Sequence, residues 1–228
     1  MNSQIPNPSI LICSVSVRHK YLNRLLHKLQ DQLIENPDLQ KKIEIIVFAD
    51  NFELKTGKKR NMLIDKSKGK FVVFIDDDDL VSDNYCKLIS DIIDSHSNID
   101  YIGFKLECII NGEPAKPVYH SSRYDGWYDD ESGYYRHWSH INPTKREIMV
   151  KYPFLDVLCS EDSNVAGRIY RDKVIKREFF IDDIMYIYDA RGEVSLTTRQ
   201  HRKNNIKNQE KYIDWVETAI DKIDVHYL

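Results

Sequence analysis

The sequence predicts a doubly wound α/β fold, in which the strands of a central sheet alternate with helices laid on both of its faces. Two observations carry that reading. Strand-like apolar runs and helical spacings of apolar residues alternate through the first half of the chain, the order expected of βαβ units. The third run, Phe71 to Ile75, is apolar throughout and rich in β-branched and aromatic residues, as suits a strand buried on both faces. With 228 residues and no repeat, low-complexity tract or linker, one domain accounts for the chain.

The elements follow in order. Ser9 to Val17 reads as a first strand, and Leu22, Leu25, Leu26, Leu29 and Leu33 recur at helical spacing until Pro37 ends the helix. Ile43 to Phe48 forms a second strand that runs out at Asp50, and Lys58 to Lys66 suits a helix closed by Gly69. After Phe71 to Ile75 comes a helix with Tyr85, Leu88, Ile89, Ile92 and Ile93 on one face. A strand over Tyr101 to Ile110 meets a hairpin signal at Asn111-Gly112. From Tyr119 to His140 periodicity is lost among aromatic, histidine and acidic residues, so the stretch reads as a long irregular insert. Thr144 to Glu147 has the pattern of a capping box that starts a helix to Val150, and Ser160 could cap a helix to about Arg171. Strand pieces follow at Glu178–Ile181 and Met185–Tyr188, and residues 205–228 hold an amphipathic helix through Ile206, Ile213, Val216, Ile220 and Ile223.

Bulk chemistry narrows the partners. A composition of 42% hydrophobic and 30% charged residues is that of an ordinary soluble domain, and a net charge of -3 offers no bulk attraction to nucleic acid or anionic membrane. Cys13, Cys86, Cys108 and Cys159 are scattered without a C-x-x-C pair, which suits free thiols in a reducing compartment. Residues Met1 to Pro8 lack the apolar core of a signal peptide, and no apolar run reaches the ~20 residues of a membrane span. A cytoplasmic protein, with any membrane contact peripheral, is the expectation.

The most informative junction is the run Asp76-Asp77-Asp78-Asp79 directly behind the Phe71–Ile75 strand. The carboxyl ends of such strands face the ligand crevice of an open α/β sheet. Carboxylates crowded there repel unless a cation neutralises them, and Mg²⁺ or Mn²⁺ brought by a phosphate would do so. An acidic run can also simply solubilise a loop and cap a helix.

Taken together, the first strand, the strand ending at Asp50, the stretch Lys58 to Leu88 and the later Glu161-Asp162 pair resemble the family 2 glycosyltransferases of the GT-A fold. The resemblance spans roughly Ser9 to Tyr188 and rests on a helix with Arg60-Asn61, a Lys/Gly turn, a strand, a D-x-D-D motif and a Glu-Asp pair at a helix start. It implies a single GT-A domain with a mixed central sheet, 9–110 being the nucleotide-sugar-binding half and 111–204 the acceptor and catalytic half. It implies transfer of a hexose or pentose from a nucleotide-diphosphate sugar, UDP-sugar first, to a hydroxyl acceptor by an inverting displacement. Asp76 would contact the ribose or the metal, Asp78 would be the main ligand of Mn²⁺ or Mg²⁺, and Asp77 holds the variable middle position on the nucleotide-sugar side. Ser14 and Asp50 would contact the base and Arg60 the nucleotide sugar. Asp162, paired with Glu161, would be the general base, and His201 a late metal ligand. Ala49, where the family often has an acid, and Asn51-Phe52, in place of Gly-Ser, leave the base open.

The reaction makes the same demands by itself: a cation to stabilise a departing diphosphate, and a base within reach of the acceptor hydroxyl. A nucleotidyltransferase would need a glycine-rich loop after the first strand, where Val17-Arg18-His19-Lys20 stands. An aspartyl phosphatase fits poorly with Leu80 behind the acids. A non-catalytic glycan- or nucleotide-binding module of the same fold remains an alternative, for which the aromatic insert would serve. The insert, with His137 and Trp138, and the C-terminal helix are the expected acceptor-side walls. The basic stretch Arg199, Arg202, Lys203, Lys207 and Lys211 beside Tyr212 and Trp215 could face a membrane with a lipid-linked sugar, or nucleic acid carrying a phage-type modified base, or pack on the sheet with its charges in water. A glycan is the third acceptor class.

Overall fold

A computed structural model of the chain describes residues 5–110, 112–157, 160–190 and 225–227. Strand β1 (Pro8–Val15) leads through a short 3-10 turn into α1 (His19–Glu35), and β2 (Glu44–Asp50) into α2 (Thr56–Lys66). Next come β3 (Phe71–Phe74), β4 (Leu80–Val81), α3 (Tyr85–Ser95) and the long β5 (Tyr101–Ile110). Five short strands follow, β6 (Glu113–Pro114), β7 (Val118–His120), β8 (Trp127–Asp129), β9 (Tyr134–Arg136) and β10 (Thr144–Lys145). The remainder comprises α4 (Arg146–Lys151), α5 (Glu161–Arg171), β11 (Glu178–Ala190) and β12 (Val225–Tyr227). All the described strands join one sheet in the order β12-β2-β1-β3-β10-β5-β7-β9-β8, with β11 beside β5 and β4, and β6 beside β5. Its sense is mixed: β1 runs parallel to β2 and β3, whereas β10 is antiparallel to β3 and β5.

Strand alternation decides which helices cover which face. Ile10 and Ile12, Ile45 and Val47, and Val73 point to one side, where they meet the leucines of α1 and Tyr85, Ile89, Ile92 and Ile93 of α3. Leu11, Ile46, Phe48, Val72 and Phe74 point to the other and pack on Leu63 and Ile64 of α2, Met149 of α4, and Val165, Ala166 and Ile169 of α5. Each fully buried leucine of α1 stabilises the fold by about 1.5–3 kcal/mol. The doubly wound reading therefore holds, and the C-terminal ends of β1, β2 and β3 lie side by side. Among the described residues no helix is long and apolar enough to cross a membrane. Cys13, Cys86 and Cys108 are free thiols; Cys159 and residues 205–224 of the expected C-terminal helix fall outside the described residues, and Val225–Tyr227, expected to be helical, instead pair with β2 as strand β12.

Four further local expectations differ from the structure. The 119–140 insert is not irregular: β7, β8 and β9 extend the sheet, because Tyr119, Tyr135 and Tyr128 stand opposite one another across the strands. Their rings stack with centroids 5.3 and 4.8 Å apart, a pairing worth about 0.5–1.5 kcal/mol each beyond burial. Thr144 does not cap a helix; it pairs in β10 and its Oγ1 accepts a hydrogen bond from Trp138 Nε1 (2.9 Å). Ser160 does stand at the N-cap of α5, yet in the left-handed region (φ 64°) and without a side-chain capping bond. The two pieces expected near 178–188 are one strand, β11, whose register on β5 shifts between Ile181 and Tyr186.

Two contacts in this frame are sensitive to substitution. Gly57 in α2 lies so close to the chain before α5 that an added Cβ would fall 1.7 Å from the Leu155 carbonyl oxygen. Gly57→Ala should therefore destabilise by about 1–3 kcal/mol in urea unfolding, against the helix-propensity gain of about 1 kcal/mol that alanine normally brings; a stabilised variant would refute the close approach. His120 of β7 is buried, its Nδ1 2.6 Å from Asn142 Oδ1, and burial pushes its pKa down to about 3. Unfolded histidine titrates near 6.5, so the neutral ring's contribution is complete above that pH and is lost as the pH falls toward 3. His120→Gln should unfold with a shallower pH dependence than the wild-type protein between about pH 6.5 and 4; parallel curves would contradict this.

Candidate functional site

The parallel register of β1 with β2 and β3 sets Ser14, Asp50 and the acidic run behind β3 on one edge of the sheet, where ligands of open α/β sheets bind. Arg60 of α2 organises that edge from beneath. Its Nη2 lies 3.1 Å from Asp76 Oδ1 and its Nε 3.1 Å from Glu161 Oε1. The guanidinium also rests on the rings of Phe74 and Phe154, 4.8 and 5.6 Å from their centroids. Burial disfavours its charge, but Asp76, Glu161 and Asp162 more than offset that and raise its pKa.

Four adjacent aspartates coexist because each has a different environment. Asp76 is half-buried; burial works against its charge, yet His140, Arg60 and Arg18 hold its carboxyl well below the usual range. Asp77 is buried and accepts a hydrogen bond from Ser14 Oγ (2.5 Å) with Arg18 at 3.2 Å. Its burial outweighs those partners and pushes its pKa up to about 7. Asp78 pairs with Arg18 through its side chain, and its carbonyl oxygen accepts from Arg24 Nη2 (2.6 Å). Burial, opposed by Arg18, leaves its carboxyl raised. Asp79 accepts from Tyr186 Oη (2.7 Å), which in turn accepts from the Asp76 amide (3.1 Å). Neighbouring carboxyls pushed in opposite directions are characteristic of working sites.

Asp162 comes to this edge from the opposite direction. The strained Ser160 turns the chain into α5, so Glu161 enters the interior toward Arg60 while Asp162 stays part-exposed in the first turn. A helix N-terminus favours its carboxylate. His140 stands between the two sets of acids, Nε2 3.3 Å from Asp76 Oδ2 and Nδ1 3.6 Å from Asp162 Oδ2.

Of the residues singled out in the sequence, Ser14, Arg60, Asp76, Asp77, Asp78, Glu161 and Asp162 thus converge, joined through Arg60, Arg18 and His140. Asp50 lies on the same edge but is engaged: it pairs with Lys59, and its oxygens accept from the amides of Phe52 (3.2 Å) and Leu54 (2.9 Å). His201 falls outside the described residues. Trp138 is corrected from acceptor wall to core, being 1% exposed among Leu11, Phe74 and Tyr101. His137 is buried too, hydrogen-bonded to the Tyr124 carbonyl (2.9 Å) and edge-on to Tyr170, so neither forms an open wall. Arg18, Lys59 and Tyr186 were not anticipated. Arg18 stands directly behind the first strand, where the sequence signal is an arginine in place of a glycine-rich loop.

Among the described residues no three His, Cys, Asp or Glu side chains gather into a metal-holding group. A hard divalent ion that arrives with a diphosphate keeps several waters and takes only one or two protein carboxylates. Asp78, part-exposed beside Asp76, fits that smaller requirement.

No model of a known protein family and no curated protein matches the sequence. Solved structures resemble its fold. S. aureus TarS 1-349 in complex with UDP-GlcNAc superposes with a TM-score of 0.62 at 18% identity, over 81% of this chain and 59% of that one. TarS 1-349 in complex with UDP gives 0.60 at 19%, over 82% and 61%. A further S. aureus TarS structure gives 0.60 at 19%, over 81% and 37%. The chain therefore spans less than two thirds of the length of these structures. The likeness is one of fold, a GT-A-type α/β domain with a mixed central sheet.

The ion-pair network has a measurable signature. Arg60→Met strands two carboxylates in part-buried surroundings and should cost about 3–5 kcal/mol in urea unfolding. Adding Glu161→Gln to Arg60→Met should cost less than the same change in the wild-type protein, since the pair is already broken. Additive losses would show that the two residues do not act together.

Proposed function

We propose that this chain is a glycosyltransferase that takes a sugar from UDP-sugar and passes it to a hydroxyl acceptor with inversion at the anomeric carbon. The observation that carries the reading is the convergence of the acidic run behind β3 with Asp162 of α5, joined through Arg60 and His140. The fold likeness to TarS, solved with UDP-GlcNAc and with UDP, supports the choice of donor. On this reading residues 9–110 hold the donor, with Ser14, Asp50 and Lys59 on the nucleoside side and Asp76 and Asp77 beside them. Residues 111–204 supply the base.

Asp162 takes the proton from the acceptor hydroxyl as its oxygen bonds to the anomeric carbon. The bond from that carbon to the diphosphate oxygen breaks on the opposite side, and UDP departs with the electron pair. Arg18, already paired with Asp77 and Asp78, stands where it can meet the charge that develops on the diphosphate. Asp78 and Asp76 would hold a Mn²⁺ or Mg²⁺ ion, which adds positive charge against the same leaving group. Glu161 acts from behind by fixing Arg60. The acceptor is a glycan, a lipid-linked sugar or a phage-type modified base, each of which offers the hydroxyl that the base requires.

The test is UDP release from UDP-GlcNAc by the wild-type protein and by Asp162→Asn, with melting followed in parallel. The variant should melt like the wild-type protein and lose about 10²–10⁴-fold in turnover, the usual worth of a general base. Turnover within a few-fold of the wild-type value would move the base elsewhere.

A further inference from the structure

We propose that His140 is a positioning residue that sets the base Asp162 against the donor-side carboxylate Asp76, an inference that rests on the donor-site reading above. Three observations carry it. The imidazole is buried and presents one nitrogen to each acid, Nε2 at 3.3 Å from Asp76 Oδ2 and Nδ1 at 3.6 Å from Asp162 Oδ2. Its Nδ1 has no hydrogen-bond partner among the described residues, and a buried polar atom left in that state is unfavourable unless something else completes it. The backbone is tied to the site as well. The His140 carbonyl oxygen accepts from the Phe74 amide (3.0 Å) at the end of β3, and the ring stands edge-on to Phe74 at 6.3 Å.

A histidine that merely filled space against Phe74 would have no reason to direct both ring nitrogens at carboxylates on different elements. At 3.6 Å the Asp162 contact is longer than a hydrogen bond. Catalytic hydrogen bonds in ligand-free enzymes are commonly long and shorten when substrate binds. Asp162 Oδ1 is already held by the Ser163 amide (2.7 Å), so closure of Nδ1 onto Oδ2, with a hydrogen on each ring nitrogen, would fix the carboxylate plane from both sides. Donor binding at Asp76 and orientation of the base would thereby be coupled through one ring. His140 touches neither the donor nor the acceptor in this account; it acts through the two acids.

Two substitutions separate the two contacts. Asparagine places an amide near the position of Nδ1, and glutamine reaches the position of Nε2. With UDP-GlcNAc as the probe and UDP release as the readout, His140→Asn should keep kcat within about threefold and raise KM. His140→Gln should keep KM and lower kcat about tenfold or more. A purely structural residue would lower kcat and raise KM together in both variants or leave both unchanged, and either result overturns the proposal. In a crystal structure of the wild-type protein with UDP, Nδ1 should close on Asp162 Oδ2 to hydrogen-bond distance; a separation that stays at 3.6 Å or widens overturns it without any variant. A wild-type protein that neither binds UDP nor releases it from UDP-GlcNAc overturns the donor-site reading, and the inference with it. Normal wild-type turnover with His140 variants that behave alike overturns the inference alone.

Discussion

The arrangement depends on one buried cation. Arg60 cannot shed its proton, so its place in the interior demands carboxylates, and it takes one from each side of the site: Asp76 behind β3 and Glu161 at the start of α5. Residues 60, 76 and 161 are far apart in the sequence, and this guanidinium sets the distance between them. The rings of Phe74 and Phe154 around it belong to the same segments, so apolar packing and ion pairing reinforce one geometry. Gly57, one turn earlier in α2, lets the helix approach closely enough for the contact to form.

From that constraint the electrostatics of the acidic run follow. Arg60 and His140 serve Asp76, Arg18 serves Asp77 and Asp78, and Tyr186 serves Asp79. Cationic and hydroxyl donors are thus shared out rather than concentrated, and the carboxyls separate, Asp76 held low and Asp77 pushed up to about 7. Four adjacent acids in one loop are ordered by partners of this kind, by a carboxyl that keeps its proton, or by a bound cation.

Much of this was legible in the chain, for identifiable reasons. The β1 to α3 order could be read because strands buried on both faces are apolar throughout, and because α1 repeats leucine at helical spacing. Asp76 to Asp78 and Glu161-Asp162 stood out by type and by order. The 119–140 segment could not be read, because its three-residue strands are too short to show alternation. Trp138 was misassigned since a tryptophan in a polar stretch looks like a surface residue, and its indole partner Thr144 reads as a helix cap unless β10 is known. The position of His140 between Asp76 and Asp162 is a tertiary fact with no local signal. Arg18 is similar, because a single arginine at the start of a basic helix says nothing of the loop it will meet.

What binds at this edge of the sheet is the claim on which the functional account stands. Calorimetric titration of nucleoside diphosphates into the protein, with and without Mn²⁺, tests it most directly. UDP should bind stoichiometrically, and more tightly when Mn²⁺ is present. Failure of UDP and of every other nucleoside diphosphate to bind would contradict it and leave the Arg60 network as a purely structural device.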